Sequence, residues 1–343
     1  MGRGTTATMS EATGGARRAQ LVPVLVAALV ILSFGAVMIG PLALGPGQTL
    51  AALFGFGEPQ AETVIWSIRL PRVGAAVVLG AALAAAGASY QALFRNPLVS
   101  PDILGVSAGA GLGAVAGIFL SLPVAAIQAT AFAGGMGAVG IVMLVAALVR
   151  NTDRTLTLVL IGVVIGALAG AATSLLKVLA DPYDQLPAIT FWLLGSLASV
   201  TTADILPALP AVGLGLVPLV LLRWRINVLS LGDEEARALG IEAGRTRALV
   251  IVSATLITAS VTALAGVVGW VGLVIPHIAR MIVGPGFGQL LPVSVLIGAA
   301  YLLVVDTLAR TIAQVEVPLG ILTAVIGAPF FVWLLARGRR GWS

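Results

Sequence analysis

Between Arg72 and Arg95 the chain carries no charged residue. Val73–Phe94 is one continuous apolar run, with Arg69 and Arg72 before it and Arg95 after it. A helix crosses the bilayer core in ~20 apolar residues, so this run is long enough to span. The FRNPLVSPD stretch, Phe94–Asp102, then breaks the helix. Pro97 and Pro101 have no amide to donate, and they push the residues before them out of the α region. A second apolar run follows, with Gly105, Gly109 and Gly113 along one face.

Such runs recur along the chain: Leu21–Leu44, Ile103–Ala126, Ile127–Val149, Leu156–Leu176, Ile205–Leu222, Ala248–Leu264, Val267–Ile275, Leu290–Val305 and Ile321–Ala336. Charged residues make up only 10% of 343, and the mean hydropathy is +1.08. A soluble domain carries ~25% charge, so this chain reads as an all-α integral membrane protein of about ten transmembrane helices. Leu21–Leu44 follows Arg17 and Arg18. It is too long for a signal-peptide core and lacks a small-residue cleavage site, so it reads as an uncleaved first span. The absence of cysteine excludes disulfides, thiolate catalysis and cysteine-ligated metals. The net charge of +5 sits in membrane loops and points to no nucleic acid.

Those loops orient the chain. With the N-terminus inside, only Arg69, Arg72, Lys177 and Arg310 of the 19 Lys and Arg residues fall outside. Positive residues concentrate on the cytoplasmic side, which predicts N-in and C-in and an even number of spans.

Gly105, Gly109 and Gly113 repeat every fourth residue, as do Gly162, Gly166 and Gly170. In lipid, small faces let helix backbones approach and gain dispersion contacts. The two series serve either packing within one subunit or an interface between subunits. No span has a carboxylate near its centre, where proton or ion coupling would need one. Asp306 lies towards the outer end of its helix, one turn before Arg310, and reads as a paired structural acid. The chain has one lysine, Lys177, outside any glycine-rich phosphate loop, so it cannot hydrolyse ATP. Any energy for pumping must come from a partner.

Two polar features stand out. The insert after Arg223 and Arg225, Asn227–Arg247, is the longest between spans. Ser230 followed by Asp233 resembles a capping box, acids lie early where they favour the helix dipole, and Gly240 suits a C′ position. It reads either as a connecting loop or as a short cytoplasmic contact helix. Arg69, Arg72 and Arg310 stand against the charge bias at the outer mouth. They either snorkel to headgroups or form an electropositive rim that docks an acidic partner.

The block RLPRVGAAVVLGAALAAAGASYQALFRNPLVSPDILGVSAGAGLG, Arg69–Gly113, resembles the FecCD family, permease subunits of ATP-driven importers for iron-siderophores, haem and vitamin B12. So do LGDEEARALG (Leu231–Gly240), GWVGLVIPHIARMIVG (Gly269–Gly284), DTLAR (Asp306–Arg310), EVPLGILTAVIGAPFFVWLL (Glu316–Leu335) and FWLLGSL (Phe191–Leu197). The resemblance implies the type II ABC importer permease fold of vitamin B12 permeases. It implies a flexible cytoplasmic tail at 1–20, a single permease domain at 21–338 with coupling helices at 226–247, and a short tail at 339–343.

By the same match, Gly232, Asp233, Glu234, Glu235, Arg237 and Gly240 couple to the ATPase, and Arg69, Arg72 and Arg310 receive glutamates of a binding protein. Gly162, Gly166, Gly170, Lys177, Phe191 and Trp192 are candidates for the pathway or its gate. Lys177 either attracts an anionic chelate or snorkels. The implied partners are a second permease copy, two ATP-binding cassette subunits holding ATP and Mg, and a periplasmic or lipid-anchored substrate-binding protein. The surrounding membrane lipid is that of the bacterial inner membrane. His277, a lone imidazole, makes a poor metal site and reads as a packing residue. The expected function is import of an iron chelate, with cobalamin or another metal chelate as the alternative. The missing mid-membrane acids and the polar insert count against an ATP-independent secondary transporter or channel, and the lack of any nucleophile–base or metal-ligand cluster counts against an intramembrane enzyme.

Overall fold

The computed structural model describes residues 4–40, 42, 44–149 and 154–338; the expected tail at 339–343, together with Arg3 and Arg150 of the basic inner set, lies outside them. No strand occurs among the described residues. The chain opens with α1 (Gly4–Met38), α2 (Pro46–Leu53) and α3 (Pro59–Thr63). A π-helical turn, Val64–Arg69, leads into α4 (Leu70–Leu93). Next come a 3₁₀ turn at Pro101–Leu104, α5 (Val106–Phe119), α6 (Val124–Leu148), α7 (Arg154–Leu179), α8 (Gln185–Leu194) and α9 (Thr202–Leu221). Two short helices, α10 (Arg223–Leu229) and α11 (Asp233–Ala238), precede α12 (Ala243–Ala265), α13 (Val271–Val283), α14 (Phe287–Ala309) and α15 (Leu319–Gly338).

Seven of these segments are long and apolar enough to cross a membrane: Gln20–Met38, Pro59–Leu93, Val124–Leu148, Thr155–Leu179, Thr202–Leu221, Ala243–Ala265 and Phe287–Ala309. The other predicted spans correspond to the shorter helices α5, α13 and α15. Boundaries moved where turn chemistry overrides apolarity. The adjoining runs Ile103–Ala126 and Ile127–Val149 are divided at Leu120–Pro123, where Ser121 adopts a positive φ of 53° and Pro123 caps α6. The run from Val267 becomes helical only at Val271 and then continues past Pro276 to Val283. Helical backbone already begins at Gly4, inside the stretch expected to be a flexible tail.

The core is built on α4 and α12, each 78% buried over its most apolar window, against 17% for α7 and for α9. Small residues make this density possible. A Cβ built on Gly80 would lie 2.1 Å from the Gly298 carbonyl oxygen, and one on Gly298 would lie 2.4 Å from that of Gly80. Gly109 of α5 and Gly134 of α6 approach in the same reciprocal way, at 2.4 and 2.3 Å. The Gly105–Gly113 series thus packs helices within this subunit. A hydrogen bond of 2.9 Å between the Tyr90 and Thr255 hydroxyls ties α4 to α12 inside the apolar core.

Antiparallel packing gathers helix ends into two polar layers. One holds the end of α1, the starts of α4 and α15 and the end of α14, joined through Arg69, Arg72, Asp306 and Glu316. The other holds the ends of α4 and α13, α10 and the start of α14, joined by Arg280 to Gln91 and by the Phe287 amide to Asn227.

Candidate functional site: two polar ends of one bundle

Pro71 explains how the first layer forms. It has no amide to donate to the carbonyl four residues back, and its ring crowds that carbonyl. The helix widens to a π turn over Val64–Arg69 just before it. Trp66 anchors this turn by donating from Nε1 to the Ala52 carbonyl at 3.1 Å.

Arg69 and Arg72 then point into the bundle. Arg69, 3% exposed, donates to the carbonyls of Val37 at 2.8 Å and Met38 at 3.1 Å, and to that of Leu42. Arg310 donates from Nη2 to the Ala36 carbonyl at 2.5 Å. Both cations therefore satisfy carbonyls at the end of α1, where the helix dipole also favours positive charge. Arg72, 7% exposed, sits between two carboxylates. Its Nε and Nη2 reach Asp306 Oδ1 at 2.9 and 2.8 Å, and its Nη1 and Nη2 reach Glu316 Oε2 and Oε1 at 2.8 and 2.9 Å.

The three arginines expected to form an electropositive rim do converge, and each guanidinium is held by an internal acceptor. The geometry re-pairs Asp306. Arg310 Nε lies 3.8 Å from Asp306 Oδ2, so Arg72, not Arg310, is its close partner. Asp306 is fully buried and shares both oxygens with Arg72, as a desolvated carboxylate requires.

Sequence reasoning missed two members of the layer, Glu316 and Ser196. Ser196 Oγ donates to Glu316 Oε1 at 3.0 Å, and the Ser196 amide donates to the Ala265 carbonyl. The Leu319 amide in turn donates to the Gly195 carbonyl. The segment after the half-helix α8 is thereby tied to α12, to α15 and to the ionic cluster. Within α8, Phe191 is 65% exposed and Trp192 is half-buried.

Along α7, Gly162 packs beneath the Ile103 carbonyl, and a Cβ there would lie 2.3 Å from it. That places Gly162 in helix packing instead of an open wall. Gly166 is half-open, Gly170 has nothing within 4 Å of its Cβ position, and Lys177 is half-buried further along.

At the opposite end, α11 takes a different N-terminus from the expected capping box. The N-cap is Gly232, at φ 151°, and Ser230 Oγ instead donates to the Asn227 carbonyl at 2.6 Å, closing α10. The C-terminus follows the expectation. Gly240, φ +74°, donates to Arg237 O at 2.9 Å and Ile241 donates to Ala236 O at 2.8 Å, a Schellman motif. Asp233 pairs with Arg247 at 2.8 Å and pins α11 to α12. Glu234, Glu235, Arg237 and Gly240 remain exposed, flanked by Leu231 at 64% and Leu239 at 55% exposure. Two uncovered leucines beside three charged side chains form an amphipathic contact face outside the bundle. His277 is half-buried on α13, and its Nδ1 has no hydrogen-bond partner.

The model of the FecCD transport family matches residues 26–337. The chain belongs to the FecCD transport family. This FecCD chain is 44% identical to the cobalamin import permease BtuC of Halobacterium salinarum over 84% of its own length and 79% of the relative's. It is 40% identical to the molybdate import permease MolB of Haemophilus influenzae, over 83% and 84%. Its fold superposes on a solved chain described as a metal-chelate type ABC transporter in an inward-facing conformation. The TM-score is 0.86, with 37% identity over 93% of this chain and 99% of that one. The two polar layers are thus the ends of a FecCD permease fold.

Proposed function

We propose that this FecCD protein is the membrane-spanning permease of an ATP-driven importer and carries a metal chelate inward across the bacterial inner membrane. The favoured cargo is an iron chelate, with cobalamin as the alternative. The relatives carry different named cargoes, so cargo identity rests on family breadth and on the metal-chelate transporter of the same fold. The chain spans the membrane about ten times with both termini inside, by the bias of its arginines. Two copies would form the pathway between them. The α7 surface around Gly166 and Gly170 and the exposed Phe191 are the wall and outer gate proposed for it.

The observation that carries the reading is the α10–α11 segment. Its α10 packs Ile226, Val228 and Leu229 into the core at the end opposite the arginine layer, while α11 and its flanks expose Glu234, Glu235, Arg237 and two leucines. A nucleotide-binding subunit seated there would move the permease by moving this segment. The opposite layer, held by Arg69, Arg72 and Arg310, would be the face that receives a binding protein. The arginines shape that face from below, since Arg69 and Arg72 are buried and the Arg310 side chain is 6% exposed. Co-purifying the permease with its ATPase and binding protein, and identifying the chelate whose uptake into vesicles needs all three, tests the proposal. Uptake of no chelate, or uptake without the ATPase, would reject it.

A further inference from the structure

The end of the bundle that carries α10 and α11 has an open pocket of about 290 Å³, lined by Gln91, Arg95, Asn96, Asn227, Ser230 and Arg280 among others, with no carboxylate in its wall. Hydrogen bonds already engage the amide oxygens of Gln91, Asn96 and Asn227 in its wall. Gln91 donates from Nε2 to the Leu273 carbonyl at 3.1 Å, which turns its Oε1 toward Arg280 Nη2 at 3.0 Å. Asn96 Oδ1 accepts from the Leu98 amide at 2.9 Å, and Asn227 Oδ1 accepts from the Phe287 amide at 2.6 Å. The Ser230 hydroxyl is directed to the Asn227 carbonyl.

What remains is a set of donors: the Asn96 and Asn227 amide nitrogens, the exposed Arg95 guanidinium, and Arg280 Nη1, which is buried without a partner. A buried guanidinium nitrogen facing no acceptor is costly. A wall of donors around two arginines is the chemistry that recognises a tetrahedral oxyanion, with arginine supplying fork geometry.

We propose that this cavity binds a phosphate group, carried either by the headgroup of an anionic phospholipid or by free inorganic phosphate. Basic pockets between helix ends suit the first source, and lining by Asn227 and Ser230 at the end of the short helix α10 suits the second. Occupation would complete the hydrogen bonds of Arg280 and join α4 and α13 to the segment leading into α11.

The test uses the full chain in phosphatidylcholine nanodiscs, with and without phosphatidylglycerol, and separately titrated with inorganic phosphate. Binding is read by thermal unfolding and by native mass spectrometry of retained lipid. The expected result is an upward melting shift with one of the two anions. Its apparent affinity should drop at least about tenfold in Arg95→Gln with Arg280→Gln, as the loss of charge-assisted hydrogen bonds predicts. Arg225→Gln, an exposed cation on the same end outside the cavity wall, should leave it unchanged. A response to phosphatidylglycerol alone names the headgroup, and a response to phosphate alone names the soluble ion. Should the double variant fail to fold, Arg95→Gln alone must weaken binding, since that side chain is exposed. No binding by the wild type, equal binding by the variants, or equal loss in Arg225→Gln would overturn the proposal.

Discussion

Arg72 and Glu316, far apart in sequence, meet through two parallel hydrogen bonds of 2.8 and 2.9 Å, and the same guanidinium holds Asp306 on its other edge. One side chain from the start of α4 thereby fixes the end of α14 and the start of α15. Removing one partner of a buried ion pair leaves an uncompensated charge and costs ~3 kcal/mol or more. Arg72→Ala should therefore lower the melting temperature of the purified permease by several degrees, and Asp306→Asn in the Arg72→Ala background should recover part of the loss. A melting curve unchanged by Arg72→Ala would show that the network contributes nothing.

Arg69 and Arg310 act through α1. Arg69→Gln with Arg310→Gln removes side chains that satisfy carbonyls from Ala36 to Leu42. Amides around the end of α1 should exchange faster with deuterium. Affinity for the binding protein at low salt should fall at least about tenfold, while assembly with the ATPase persists. Full docking affinity in this variant would separate the layer from any role in docking.

The α11 side chains proposed for coupling are exposed, so Glu234→Ala, Glu235→Ala and Arg237→Ala together should change stability by no more than about 0.5 kcal/mol per site. ATP hydrolysis and transport should nevertheless come apart. Measuring both in one proteoliposome preparation checks this. Unchanged coupling would mean that these side chains are merely solvated.

Glycine positions offer a matched pair. Gly80→Ala forces a methyl to within 2.1 Å of the Gly298 carbonyl and should cost ~1–3 kcal/mol. Gly170→Ala meets nothing within 4 Å and should leave the melting temperature alone. Gly170→Trp should then block transport without unfolding the chain if α7 faces the pathway. Full transport by Gly170→Trp would move the pathway elsewhere.

Much of this was legible because the membrane makes apolar runs explicit and because arginines in unexpected loops are few. The expected charge bias singles out Arg69, Arg72 and Arg310, which the structure gathers into one layer. Their burial was not legible in the sequence, since it depends on Glu316 and on the α1 carbonyls, contacts no local pattern encodes. The capping box at Ser230 failed for a local reason: Gly232 takes a backbone conformation that makes it the N-cap itself, leaving Ser230 to close α10. The tie from Ser196 to Glu316 joins two segments that the motifs presented separately. The π turn could have been suspected from Pro71, whose missing amide must be accommodated somewhere in the preceding turn.

In the proposed function this chain forms the path and a partner supplies the energy. The direct measurement is solute accumulation in vesicles containing the permease alone, under an imposed proton or sodium gradient, compared with vesicles that also contain the ATPase, ATP and the loaded binding protein. The permease alone should accumulate nothing, because its spans hold no mid-membrane carboxylate through which a gradient could act and Asp306 is committed to Arg72. Accumulation should appear only in the complete system. Uptake by the permease alone under a proton gradient would contradict both the energy source and the structural role of Asp306.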